Sequence, residues 1–268
     1  MKILKISAFA CLSLALFMLG SCKAKDGAFV PEGYSLVWSD EFDVDGAPNE
    51  DDWNYSIGGG GWGNAELQKY TDSRDNSYIK DGHLAIVALK EGSKWTSARL
   101  KTQYKHSWTY GYFEIKAKLP AGVGTWPAIW MMPEFDKHGG WPRSGEIDIM
   151  EAVGFDPDRI HTTAHTGAYN HKKNTQKNNN DIIKNTTTKY HVYAIEWTEE
   201  YIQWFVDGKP FFKFDKFSDD SEEWPFDHNF YMILNVAIGG SWGGQEGVAK
   251  DLEKAEMDID YVRVYQKN

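Results

Sequence analysis

Seven stretches of this chain, at residues 84–89, 112–119, 190–197, 201–206, 211–214, 230–238 and 257–265, are strand-length runs of aromatic and β-branched residues. None of them holds a helical period. A chain patterned in this way buries its apolar faces by stacking sheets. Two Asp-Gly pairs, Asp81-Gly82 and Asp207-Gly208, are hairpin signals, and the second joins YIQWFV to KPFFKF. Residues 248–256 are expected to make one helical turn and no more. The Asn-rich stretch 170–188 reads as a long polar loop, either a solvated connection or a rim over a cleft. No repeat, long linker or Pro/Ser-rich boundary follows residue 32, so residues 33–268 read as one all-β domain, a sandwich or jelly roll.

The balance of 29 Lys+Arg against 39 Asp+Glu gives a formal charge of −10. That excludes a nucleic-acid partner, which requires clustered cations. The 12 Trp, 14 Tyr and 14 Phe exceed what a core needs, and their flat faces suit sugar rings or broad protein interfaces. The only cysteines, Cys11 and Cys22, lie in the first 22 residues, so the body has neither a disulfide nor thiol catalysis.

The N-terminus reads as an address. Lys2 and Lys5 precede an apolar run over residues 6–20, too short to span a bilayer, and the run ends in Leu19-Gly20-Ser21-Cys22. This resembles a bacterial lipobox. Residues 1–21 are then a lipoprotein signal peptide, and Cys22 is the lipidated residue. Residues 22–32 are the anchored tether, which places the protein at the bacterial cell envelope, on the outer membrane or cell surface. The membrane is a partner only through that anchor, and the protein is expected to be a monomer. Loss of the two lysines leaves 27 cations against 39 anions, a charge of −12.

The segment WPRSGEIDIMEAVG, residues 141–154, sets three carboxylates within six residues: Glu146, Asp148 and Glu151. Alternate residues of a strand share a face, so Glu146 and Asp148 point one way and Ile147 and Ile149 the other. Glu151 falls on the wrong face unless a β-bulge absorbs one residue, and bulges re-aim side chains beside active sites. The two Glu are then effectively four apart, ~13 Å along the strand. Side chains leaning together close that to the ~5–5.5 Å of a retaining glycosidase pair. Three carboxylates this close cannot all ionise easily, so one pKa should rise. The bland alternative is an acidic solvent-facing strand edge, but the flanking residues are Trp, Ile and Met.

GEIDIMEAVG resembles the catalytic strand of glycoside hydrolase family 16 in its bulged form, Glu-x-Asp-x-x-Glu. The resemblance continues through WSDEF, GGGWGNAELQKY, GTWPAIWMMP, HVYAIEW, NVAIGGSWGG and DYVRVYQ, and so covers residues 34–266. It implies a β-jelly roll of two stacked antiparallel sheets with a concave substrate cleft, and a retaining double displacement. Glu146 is then the nucleophile, Glu151 the general acid/base, and Asp148 tunes the pair. By the same resemblance Asn64, Glu66, Arg99, Trp126, Trp130, His165, Trp242 and Gln245 are substrate-binding candidates. The glycine pairs around Trp242 suggest a close backbone approach to a ligand. Trp130 lies in an apolar run and reads equally well as core.

His161, His165 and His171 have no Cys or His-Glu-x-x-His companion, so no cofactor is expected for catalysis. The resemblance also implies a structural Ca²⁺ on the main-chain oxygens of Glu41 and Gly82 and the side chain of Asp260. The implied partner is a β-glucan. The expected activity is that of an endo-β-glucanase on β-1,3-glucan (laminarin) and/or mixed-linkage β-1,3/1,4-glucan. The alternatives are a galactan hydrolase of the agar or carrageenan type and a non-catalytic carbohydrate-binding jelly roll.

Overall fold

The computed structural model describes residues 29–268, which form two stacked sheets. The signal peptide, Cys22 and most of the tether lie outside the described residues. At the start of the described chain, the main-chain N–H of Phe29 donates to the Glu114 carboxylate at 2.9 Å.

The larger sheet has ten strands. Its path runs Lys209–Asp215, Tyr201–Val206, His191–Trp197, Gly111–Lys118, Lys254–Lys267, His83–Glu91, Lys94–Ser97, Gln68–Tyr70. Tyr34–Asp40 also pairs with Lys254–Lys267, and Ser77–Lys80 with His83–Glu91. The second sheet runs Lys177–Ile182, Arg159–His165, Glu146–Glu151, Thr125–Pro133, Phe230–Ile238, Arg99–Lys101, Asn54–Tyr55. The neighbours are antiparallel except Gln68–Tyr70 with Lys94–Ser97. Long-range antiparallel pairing of this kind is the jelly-roll sandwich that the strand pattern implied.

The core fills the space between the sheets. Phe113, Ile115, Trp197, Trp204, Val262 and Val264 come from the larger sheet, and Ile129, Met131, Ile147, Leu234 and Val236 from the smaller; all are fully buried. Period 2 places them. In Thr125–Pro133, Ile129 and Met131 face the core while Trp126, Ala128, Trp130 and Met132 line a cleft on the opposite face.

Both hairpin signals sit in tight turns with positive φ at each residue: Asp81 at 51°, Gly82 at 78°, Asp207 at 48° and Gly208 at 70°. Residues 248–256 make the single turn expected and no more, Leu252 N–H to Ala249 O at 3.1 Å, and are already strand at Lys254. Ala249 N–H is held by Val123 O at 3.0 Å, which ties the turn to the neighbouring loop. One expectation needs correction. The 170–188 stretch is not all loop. After a 3₁₀ turn at His171–Lys173, residues Lys177–Ile182 form a polar edge strand on Arg159–His165. KNNNDI has no apolar face, so its sequence carries no strand period, and the ladder with the neighbour holds it.

Candidate active site

The carboxylate strand Glu146–Glu151 lies inside the smaller sheet, between Thr125–Pro133 and Arg159–His165. Glu146 faces His165, Asp148 faces Thr163, and Glu151 faces His161. Three residues from Asp148 to Glu151 thus match two on the partner strand. On the other side Asp148 faces Trp130 and Glu151 faces Ala128, the same three against two. This is a β-bulge, and it turns all three carboxyls into one cleft.

The cleft has a volume of about 590 Å³. Indole N–H groups reach two of the carboxyls. Trp141 donates to Glu146 Oε2 at 2.7 Å, and Trp126 donates to Glu151 Oε1 at 3.0 Å. Asp148 and Glu146 share a hydrogen bond. His165 Nε2 lies 3.5 Å from Asp148 Oδ2 and 3.8 Å from Glu146 Oε1.

Burial pushes Glu146 up to about 7, with the Glu151 charge adding to it; the Trp141 and Asp148 hydrogen bonds and the Arg99 guanidinium pull the other way. Burial also pushes Glu151 up to about 7, opposed only by the Trp126 N–H. Asp148 lies well above the ordinary carboxylate range through burial and then the charges of Glu146 and Glu151. These shifts favour keeping the proton on Asp148, in its hydrogen bond with Glu146. The histidines are held neutral. His165 is pushed down to about 3 by burial and then His171, and His161 to about 4 by burial and then Arg159.

Two half-buried carboxyls thus occupy different surroundings. Glu146 accepts from an indole and from Asp148 and feels a guanidinium, which favours its ionised form. Glu151 has a single donor, which favours the acid. Both stand at about 7, so the pair gives up one proton first, and the extra donor and the guanidinium at Glu146 favour leaving the remaining proton on Glu151.

The remaining candidates divide. Trp126, Trp130 and Trp242 all line the cleft. Trp130 is therefore not a core residue; its N–H donates to Asn235 Oδ1 at 2.7 Å. Trp242 meets Trp126 edge-on at 5.5 Å and His161 at 4.8 Å. The glycines beside Trp242 have a packing role within the loop. A Cβ on Gly243 would meet Gly239 O at 2.7 Å and Trp126 Cβ at 2.8 Å, so they let the loop pack on itself and on Trp126.

Arg99 lies between the rings of Trp62 and Trp130, 4.9 and 4.7 Å from their centroids. Asn64 and Glu66 also line the cleft. The Glu66 carboxylate is largely engaged, accepting from Gln68 at 2.6 Å, Asn64 at 3.2 Å and Tyr70 at 3.3 Å. Gln245 is exposed in the turn after Trp242 and is not among the cleft-lining residues.

Sequence reasoning missed Trp62, Trp141, His171, Lys172 and Asn235 as cleft residues. Asn235 had a signal, because it is the one polar residue in FYMILNVAI. Trp141 had none, since only the turn before Glu146 brings it back over the carboxyl.

The residues named for calcium lie away from this cleft. Asp260 Oδ2 meets Lys116 Nζ at 2.8 Å, and Asp260 Oδ1 lies 3.9 Å from His83. The Glu41 side chain accepts from Arg263 at 2.7 and 2.9 Å. Main-chain and carboxylate oxygens are the donor type that Ca²⁺ takes, but an ion at Asp260 competes with the Lys116 ammonium.

Comparison with known proteins places this geometry. The model of the family "Glycosyl hydrolases family 16" matches residues 64–263. A β-glucanase of Rhodothermus marinus is 47% identical over 99% of this chain and 97% of its own length. The X-ray structure of the laminarinase from Rhodothermus marinus superposes with a TM-score of 0.84, at 49% identity over 88% of this chain and 98% of that one. A point variant of a non-specific endo-β-1,3(4)-glucanase of the same family, co-crystallised with 1,3-β-D-cellotriosyl-glucose and presenting 1,3-β-D-cellobiosyl-glucose at its active site, gives a TM-score of 0.86. It is 43% identical over 89% of this chain and 96% of that one.

Proposed function

The chain belongs to glycosyl hydrolases family 16, and from that premise we propose that it is a retaining endo-β-glucanase cutting internal bonds of β-1,3-glucan or mixed-linkage β-1,3/1,4-glucan. The observation that carries the reading is the bulge that sets Glu146 and Glu151 on one face of the cleft in unlike surroundings. In this reading the Glu146 carboxylate attacks the anomeric carbon while Glu151 gives its proton to the departing glycosidic oxygen. The C–O bond to the leaving sugar breaks and a glycosyl ester on Glu146 forms. Glu151, now ionised, takes a proton from water, whose oxygen displaces Glu146 and restores the starting anomer. Asp148 holds a hydrogen bond to Glu146 throughout, and Trp126, Trp130 and Trp242 offer faces and edges to sugar rings.

Two variants test the assignment on an aryl β-glucoside with a good leaving group. Glu151→Ala should keep partial activity, and azide should raise it by forming a β-glycosyl azide. Glu146→Ala with azide should give the α-glycosyl azide. The reverse pattern would exchange the two roles.

The same reading extends to a structural calcium at Glu41, Gly82 and Asp260, and to a lipid anchor at Cys22 on the bacterial envelope. Oxygen-only donors support the first, and the Leu19-Gly20-Ser21-Cys22 motif supports the second. Calcium should raise the melting temperature of chelator-treated protein, more so in Lys116→Met. Metabolic fatty-acid labelling should disappear in Cys22→Ser.

A further inference from the structure

Among the described residues, one group of metal-ligating side chains lies apart from the catalytic carboxyls: His138, Asp227 and His228, whose ligand atoms all fall within 4.8 Å of one another. Two imidazoles converge on a single oxygen. His138 Nε2 is 3.1 Å and His228 Nδ1 3.2 Å from Asp227 Oδ1. Tetrahedral bonds of ~2.0–2.1 Å place neighbouring ligand atoms about 3.3 Å apart, so two edges of a tetrahedron already stand near their final length. We propose that His138, Asp227 and His228 form a binding site for Zn²⁺ or a similar borderline transition-metal ion.

The surroundings are those of a built site. Asp227 Oδ2 is held by Lys137 Nζ at 2.7 Å, the outer hydrogen bond that a ligating carboxylate ordinarily has. The His228 ring packs on Phe230 at 5.0 Å and edge-on against the His138 ring at 5.5 Å. The main-chain N–H of His138 donates to Ser144 Oγ at 2.9 Å, which fixes the loop carrying that ring. Both rings are therefore in place before an ion arrives. The side chains of His138 and His228 are 20% and 12% exposed and that of Asp227 46%, so one side is open for entry and for a water as fourth ligand. Two imidazoles and one carboxylate suit Zn²⁺, Ni²⁺ and Cu²⁺ and do not suit Ca²⁺ or Mg²⁺.

Binding needs only a change of tautomer. Each imidazole gives up the N–H it turns toward Asp227 and carries its proton on the other ring nitrogen. His228 Nε2 is buried without a partner, so no existing hydrogen bond is lost there. The ligands come from two separate stretches. His138 lies between the strands Thr125–Pro133 and Glu146–Glu151, and Asp227 and His228 lie just before Phe230–Ile238. The ion ties these together and fastens the loop that delivers Trp141 to Glu146.

The test uses the whole chain, stripped with chelator and titrated with Co²⁺ while the visible spectrum is followed. A parallel melting series is run in Zn²⁺. The intense visible bands of four-coordinate cobalt should saturate at one equivalent, and zinc should raise the melting temperature with concentration. Both effects should vanish in His138→Gln and in Asp227→Asn and persist in His165→Gln, which alters a second cluster of three such side chains among the described residues. Absence of the bands in the unaltered chain would overturn the proposal. Their survival in His138→Gln and Asp227→Asn, or their loss only in His165→Gln, would overturn it as well. None of these readouts depends on hydrolytic activity, so they stand apart from the glucanase assignment.

Discussion

Trp204, on the ten-stranded sheet, donates its indole N–H across the core to the main-chain oxygen of Asp148 at 2.8 Å. The bulge that aims Glu151 begins at that residue, and a bulge leaves backbone groups without ladder partners. A fully buried tryptophan from the opposite sheet satisfies one of them. Trp204→Phe keeps most of the ring volume and removes the donor. An unsatisfied buried carbonyl costs about 1–3 kcal/mol, so the melting temperature should fall by several degrees. The loss in kcat should exceed the change in KM, because the bulge positions the carboxyls and touches no sugar. Unchanged kcat in the folded variant would show that the bulge holds itself.

The raised carboxyls make stability depend on pH. Glu146 and Glu151 ordinarily titrate near 4.5 and are pushed up to about 7 in the fold. The native state therefore binds protons more tightly than the unfolded chain, and its stability is lost as pH rises from about 4.5 through about 7. Glu146→Gln keeps that position neutral. It should melt higher than the parent at pH 8 and close to it at pH 4.5, as followed by calorimetry. Equal melting temperatures at pH 8 would mean that the buried charge is well solvated.

Hydrolysis should follow a narrow bell in pH around 7, because Glu146 and Glu151 both stand at about 7 and the active pair holds one proton: ionisation of Glu146 sets the acidic limb and loss of the Glu151 proton the basic one. The donor from Asp148 holds the acidic limb down. Asp148→Ala removes it and should move that limb upward. Asp148→Asn retains an N–H donor and should move it less. Identical limbs in both variants would make Asp148 a packing residue.

Arg99 acts on the same limb through charge. Its guanidinium lowers the pKa of Glu146 from its place between Trp62 and Trp130. Arg99→Met fills similar space without charge and should shift the acidic limb of kcat/KM upward. A raised KM without a limb shift would make Arg99 a support for the two rings alone.

Trp242→Ala removes an edge contact from Trp126 and a ring from the cleft while leaving the carboxyls in place. By analogy with base stacking on aromatic side chains, such a contact is worth about 1–3 kcal/mol. The loss should appear in kcat/KM for long oligosaccharides more than for the shortest cleavable ones, with little change in melting temperature. A large fall in melting temperature with activity intact would mean that Trp242 serves the loop instead.

Much of this molecule is local and therefore readable from the chain. Strand period, the Asp-Gly turns and the Glu146-x-Asp148-x-x-Glu151 spacing depend on residues within a few positions of one another, and backbone geometry at that range dictates an all-β fold and a bulge. Tertiary structure decided what depends on register and on which face is covered. Alternation in Thr125–Pro133 separates Trp126 and Trp130 from Ile129 and Met131 but cannot say which set meets the other sheet, because both sets are apolar. The apposition of His165 with Glu146 and His161 with Glu151 is a strand register fixed by pairing. The indole donors to the carboxyls come from a neighbouring strand and a turn. Lys177–Ile182 is a strand only because a neighbour offers it a ladder, and Trp204 reaches Asp148 only because two sheets stack. These are non-local contacts, and a sequence carries their residue types without their distances.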